Sequence, residues 1–105
     1  MIIQSLWYGD TLSDLEILSI NSFLKYHTFH LYIYTPISNI HLIKSKKFKI
    51  LDGNNILNLI KLKLNYNILP FSDLFRYKLL YDKGGIWVDL DMICLKKFNF
   101  KEKYI

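Results

Sequence analysis

The sequence contains one cysteine, two prolines, four glycines, a single valine and no alanine. Cys94 has no second thiol to pair with, which excludes an intrachain disulfide and a cysteine-based metal site. A lone thiol fits a reducing compartment. Of the 14 basic residues only Arg76 is an arginine. Surfaces built for polyanions cluster arginine for bidentate phosphate contacts. The Ile-, Leu-, Asn- and Lys-rich composition resembles that of an AT-rich coding sequence, so the net charge of +5 is discounted as a functional signal. No nucleic-acid partner is expected. No apolar run approaches the ~18 residues needed to span a bilayer. The opening "MIIQSLWYGD" lacks a basic region followed by an apolar core, so it does not read as a signal peptide. The expectation is one soluble, cytoplasmic domain over residues 1–105.

What is present is a large apolar fraction. Half the chain is hydrophobic (51%) and 16% is aromatic, enough to build a core. "IIQSLW" at residues 2–7 reads as a strand, and "YGD" as the turn after it. Ser13 and Glu16 have the spacing of a capping box. Leu15, Leu18, Ile20, Phe23 and Leu24 follow at helical spacing, which predicts a helix over 14–26 packed by one face. "FHLYIY", residues 29–34, reads as a second strand. Strand, helix and strand in about thirty residues match the size of a βαβ unit and imply a parallel sheet. "HLIKSKKFKIL" reads as two short edge strands around a lysine-rich turn. A turn at Asp52-Gly53 and a helix over 55–64, capped by Asn54 or Asn55, come next. Pro70 and Ser72 open another helix, which Gly84-Gly85 stop. "IWVDLDMICL" reads as the next strand, and "KKFNFKEKYI" as a polar tail with one short helix. The alternation predicts an open α/β sheet with helices on both faces.

Asp89 and Asp91 stand two apart in an otherwise apolar run. On a strand they share one side. Burying ionised carboxylates is costly without a partner. Two readings follow. The acids sit solvated at a strand end, or they hold a hard cation. Oxygen-only ligands favour Mg²⁺, Mn²⁺ or Ca²⁺, with phosphate and water completing the shell. Asp73 and Arg76, three apart on a helix, share a face. They form either an ordinary surface ion pair or a functional pair bordering the core beside Leu74, Tyr77, Leu80 and Tyr81. The only arginine in a lysine-biased chain suggests a planar, multi-donor role. His27, His30 and His41 lack metal-ligand spacing and read as surface or half-buried. Lys44, Lys46, Lys47 and Lys49 read as a solvated turn, with anionic headgroups as the alternative contact. Cys94 reads as core.

The segment "FSDLFRYKLLYDKGGIWVDLDMICLKKF" resembles the D-x-D segment of nucleotide-sugar glycosyltransferases of GT-A fold. It is closest to the sugar-binding-region family containing the D-x-D motif, which includes outer-chain mannosyltransferases and capsular-polysaccharide sugar transferases. The pattern S/A-D-x-x-R, a helix, then G-G-x-Y/W-x-D-x-D is matched throughout. The opening strand, helix and "LYIY" also resemble that family, so the likeness runs from about residue 2 to 98. It implies that Asp91 is a metal ligand and that Asp89 contacts the donor and reaches the metal. It implies that Asp73 and Arg76 hold the donor sugar and diphosphate, and that Trp7 stacks on the base. A core tryptophan is the other reading of Trp7. Ser72, Gly84, Gly85 and Trp87 are supporting positions, Ser72 serving equally as a helix cap.

The resemblance implies hexose transfer from a UDP- or GDP-sugar to a glycan or glycolipid, assisted by Mn²⁺ or Mg²⁺, with retention of configuration. No residue stands out as a nucleophile. The family pattern continues beyond the D-x-D strand, so a truncated GT-A-like sheet, the donor-binding half, is expected. Such a half is expected to self-associate or to need a partner chain. The alternative functions are a non-catalytic nucleotide-sugar-binding module and a small basic protein that binds nucleic acid or a membrane surface.

Overall fold

The computed structural model describes residues 2–58 and 71–95. Strand β1 spans Ile2–Trp7, helix α1 Asp14–Leu24, β2 Thr28–Ile33, β3 Phe48–Asp52, helix α2 Phe71–Lys83 and β4 Ile86–Trp87. The sheet has the order β3-β2-β1-β4. Every pairing is parallel: Ile2 to Trp7 align with Thr28 to Ile33, and Phe29 to Ile33 align with Phe48 to Asp52. β4 pairs with β1 through only two residues, Ile86 with Ile3 and Trp87 with Gln4. The open parallel α/β sheet with helices on both faces is the predicted architecture.

The alternation of side chains along β1 and β2 divides the core in two. Ile3, Phe29 and Leu31 point to the α1 side, where they meet Ile20, Phe23 and Leu24. Tyr32 packs on the other side with Phe75 and Leu79 of α2 and with Ile56. Phe23, Phe29 and Phe75 are fully buried, each contributing about 1.5–3 kcal/mol by leaving water.

Several boundaries differ from the sequence-based expectation. α1 ends at Leu24. Leu15 and Leu18, expected in the core, are 49% and 58% exposed, while Ser19 and Ser22 are buried. The helical spacing located the helix, but burial is concentrated in its second half, from Ser19 to Leu24. Only the second half of "HLIKSKKFKIL" is a strand. Its start belongs to a 3-10 turn, Ile40–Leu42, and no strand forms within it before Phe48. Asp52 caps a further 3-10 turn, Gly53–Asn55, by accepting a hydrogen bond from the Asn54 amide at 2.9 Å. The remainder of the helix expected over 55–64 runs into residues outside the described ones, as do Pro70 and the tail from 96 onward. Ser72 lies inside the first turn of α2 and not at its cap. The expected capping box stands: the Ser13 amide and hydroxyl both donate to the Glu16 carboxylate, at 2.9 and 2.6 Å. Those bonds hold Glu16 below the usual carboxylate range.

The expected long strand over 86–95 is the largest difference. Regular pairing stops at Trp87, and the chain turns over Asp89–Met92, closed by the Met92 amide donating to the Asp89 carbonyl at 3.1 Å. The period of two nevertheless persists, with Val88 and Leu90 buried and Asp89 and Asp91 exposed.

The two glycines before β4 permit a turn in left-handed backbone, with φ of 71° at Gly84 and 90° at Gly85. A Cβ on Gly85 would lie 2.7 Å from the Ile2 carbonyl oxygen. Gly85→Ala is therefore expected to destabilise the fold by about 1–3 kcal/mol or more, through both strain and collision. Gly84 has open space around its Cα, so Gly84→Ala is expected to cost less. Urea unfolding of the two variants compares them, and equal midpoints would contradict the assignment.

His30 sits on β2 between Gln4 and Lys49. Burial, followed by the Lys49 charge, holds its pKa below the ordinary 6.5. The unfolded chain then binds the proton more readily, so stability is lost as pH falls from 6.5 towards the lowered folded value. His30→Gln is expected to flatten stability against pH in that window. An unchanged slope would show that other groups carry it.

Candidate functional site

In an open parallel sheet, ligands gather beyond the carboxyl ends of the strands where the strand order reverses. Here the chain moves outward from β1 to β2 to β3, then returns to the other side of β1 for β4. The crevice between the ends of β1 and β4 is that point. β1 ends at Trp7, and β4 leads directly into the Asp89–Met92 turn. The topology thus brings Trp7 and the D-x-D to one pole of the sheet.

The turn is held from several directions. Leu90 is its apolar anchor, buried in the α1-side core. Met92 closes it twice: its amide donates to the Asp89 carbonyl, and its sulfur accepts from the Asp89 amide at 3.4 Å. The Ser5 hydroxyl on β1 donates to the Val88 carbonyl at 2.7 Å, and the Val88 amide donates to the Gln4 carbonyl at 3.0 Å. Beyond the turn, the Ser19 hydroxyl donates to the Met92 carbonyl, and the Cys94 amide donates to the Ser22 hydroxyl at 2.8 Å. These four polar residues were not identified as site residues from sequence. The available signal was the placement of serines at apolar positions of β1 and α1.

The two acids differ in their surroundings. Asp89 Oδ1 accepts from the Trp87 indole N–H at 3.1 Å. The Asp91 carboxylate has no partner among the described residues. Both are exposed, which answers the problem of carboxylates in an apolar run: the turn carries them out while Val88 and Leu90 stay in. No group of three or more His, Cys, Asp or Glu side chains capable of holding a metal exists among the described residues. Two carboxylates fit a hard cation that takes the rest of its shell from phosphate and water, and do not fit a protein-only cage.

Trp7 is half-buried against the α1-side core, and its indole N–H donates to the Thr11 carbonyl at 2.9 Å. That bond fixes the ring against the loop after β1, where it also lies beside Gly9. The loop beneath is tied to the loop after β2. Asn39 accepts from the Leu12 amide at 2.9 Å and donates to the Leu12 carbonyl at 2.8 Å, while the Ser38 amide donates to the Asp10 carbonyl at 2.7 Å.

Trp87 faces the opposite core, against Phe75 of α2, with ring centres 6.4 Å apart. An aromatic wall continues through Phe71 and Tyr34 to Tyr8. Tyr34 donates to the Gly53 and Leu57 carbonyls at 3.0 and 2.6 Å. Burial above all holds this phenol well above its ordinary pKa.

Asp73 and Arg76 lie on α2, their charged groups 3.7 Å apart and their side chains 50% and 35% exposed. Of the residues expected to line the core border, Leu74 and Leu80 are half-buried, whereas Tyr77 and Tyr81 are 66% and 91% exposed, and Phe75 and Leu79 form the buried face. The pair is half-buried, with the Arg76 guanidinium stacked 5.2 Å over the Tyr77 ring. Ser72 is exposed beside it. His27 is buried and not surface or half-buried as expected, whereas Cys94 is core as expected. A cleft of about 270 Å³ opens at the carboxyl ends of β2 and β3, lined by Tyr34, Thr35, Pro36, Leu51, Asp52 and Asn54 among others, and none of the predicted site residues lines it.

An open parallel α/β sheet with paired acids at its switch point is consistent with a GT-A-like fold. Residues 12–104 match the model of the glycosyltransferase family described as the sugar-binding region containing the DXD motif, and the chain belongs to that family. The matched stretch includes Asp73, Arg76, Asp89 and Asp91 and begins after Trp7. No curated protein and no solved structure gives a match.

Proposed function

We propose that the chain binds a nucleotide-diphospho-sugar across the β1–β4 crevice with a divalent metal, Mn²⁺ or Mg²⁺, and transfers its hexose to a glycan or glycolipid. The observation that carries this reading is the closed turn at the end of β4. It presents two exposed carboxylates, one of them unpartnered among the described residues, at the point where the sheet order reverses.

Asp91 is the free charge that attracts the cation. Asp89, oriented by Trp87, stands beside it and faces the donor. A bound divalent metal neutralises charge on the departing diphosphate. Trp7 offers a ring for the base, a contact worth ~1–3 kcal/mol in other single-stranded nucleotide sites. Arg76 supplies a fork of donors for phosphate or sugar oxygens, and Asp73 accepts from sugar hydroxyls. Gly84 and Gly85 form the turn that delivers β4 to its place beside β1. The reading includes a cytoplasmic protein, peripheral at a membrane, with Lys44, Lys46, Lys47 and Lys49 towards anionic headgroups. It also includes self-association or a partner chain.

Titration calorimetry with UDP-sugars and GDP-mannose, with and without Mn²⁺, tests the proposal. Metal-dependent binding is the expected result. Binding without turnover would select the non-catalytic module instead. No nucleotide binding, with salt-sensitive affinity for DNA or acidic vesicles, would overturn it.

Asp91→Asn keeps the side-chain volume but loses the charge that holds a hard cation. It is expected to abolish Mn²⁺-dependent nucleotide binding with the circular dichroism and unfolding midpoint unchanged. Parent-like binding would remove Asp91 from the metal site.

Arg76→Lys replaces a planar fork by a point charge, while Lys78 is committed to an exposed pair with Asp82 at 2.8 Å. Arg76→Lys is therefore expected to weaken donor binding more than Lys78→Arg. Equal affinities would reduce Arg76 to a surface cation.

A further inference from the structure

We infer that Ser19 and Ser22 of α1 are positioning residues that hold the D-x-D turn in the geometry its two carboxylates need, an inference that rests on the metal-binding reading above. α1 buries these serines, 0% and 6% exposed, and leaves Leu15 and Leu18 outside. All four lie on one face at i, i+3, i+4 and i+7, the serines further along the helix where it meets the incoming chain. The two serines are a pair of hooks on a backbone with little support of its own.

The hooks form a continuous relay. The Cys94 amide donates to Ser22 Oγ at 2.8 Å, and Ser22 Oγ donates to the Ser19 carbonyl at 2.6 Å. Ser19 Oγ donates to the Met92 carbonyl. Met92 is the last residue of the turn and bonds Asp89 through both its amide and its sulfur. Fixing Met92 from α1 therefore fixes the end of the turn next to Asp91, whose side chain has no anchor of its own among the described residues. Asp89 is anchored separately through Trp87. β4 contributes only two paired residues upstream, so no sheet ladder holds the segment from Met92 to Cys94. The separation and relative direction of the two carboxylates depend on the serines.

Loss of an outer contact that orients a metal ligand costs about 10–100-fold in metal affinity. The test measures UDP and GDP affinity of the purified chain with and without Mn²⁺, together with Mn²⁺ binding by electron paramagnetic resonance. It compares the parent, Ser19→Ala, the Ser19→Ala/Ser22→Ala double variant and Ser22→Thr. The Mn²⁺-dependent gain in nucleotide affinity is expected to fall about 10–100-fold in the double variant, with metal-free nucleotide affinity unchanged. Ser22→Thr keeps a hydroxyl that bonds the preceding turn and is expected to retain the gain. Should the double variant fail to fold, Ser19→Ala carries the test, because it releases only the Met92 carbonyl. A folded double variant, or Ser19→Ala in its place, with the parent's full gain overturns the inference and leaves the metal-binding reading standing. So does an equal fall with and without metal, which marks a purely structural role. Absence of any Mn²⁺-dependent gain in the parent overturns the reading itself, and the inference with it.

Discussion

The site depends on hydrogen bonds between buried side chains and the backbone from residue 84 to residue 94. Two paired residues do not hold a strand, let alone the turn after it. Gln4 donates to the Gly84 carbonyl at 3.2 Å, Ser5 to the Val88 carbonyl, and Ser19 to the Met92 carbonyl, while Ser22 accepts from the Cys94 amide. A buried backbone group without a partner costs about 1–3 kcal/mol. Each of these bonds therefore resists movement of the segment by more than its own net stability. All four side chains come from the first 22 residues, and all four targets lie some seventy or more residues later. The opening βα unit is thus a template on which the D-x-D segment is laid.

That template explains the unusual distribution of polarity. Leu15 and Leu18 share a helix face with Ser19 and Ser22 but lie towards the start of α1 and stay exposed. α1 buries Ile20, Phe23 and Leu24 at its carboxyl half and uses the adjacent serines to reach the incoming chain. The opposite face of the sheet works differently. There the aromatic wall from Tyr8 to Trp87 joins the end of β1 to α2, and Trp87 ends it with an indole N–H on Asp89. One acid is consequently referred to the α2 side of the sheet, and the turn that bears both is referred to the α1 side. The turn that bears the two carboxylates is thus held from two separate packing layers.

The electrostatics suit a ligand of opposite sign. Two exposed acids two residues apart repel one another, and that repulsion is relieved by a cation. They do not form ion pairs with lysine or arginine among the described residues, although the chain carries a net charge of +5. Arg76 is engaged instead with Asp73 and stacked on Tyr77, exposed enough to exchange those contacts for a ligand.

The sequence by itself determined the parallel α/β class, the first βα unit with its capping box, the glycine stop after α2 and the motif that places the chain among the DXD-containing glycosyltransferases. Those features are local: periodicity, cap chemistry and turn residues act within a few positions and show directly in the order of residues. The period of two through Val88, Asp89, Leu90 and Asp91 also told correctly which side chains are in and which are out. The tertiary structure alone decided that this period belongs to a β-turn and not to a long strand. Val88 and Leu90 satisfy either backbone, and the choice is made by Ser5, Ser19 and Ser22, which are remote in sequence. It likewise decided that Leu15, Leu18, Tyr77 and Tyr81 stay outside. Apolar periodicity marks a helix, but the face that is buried depends on what the rest of the chain brings to it.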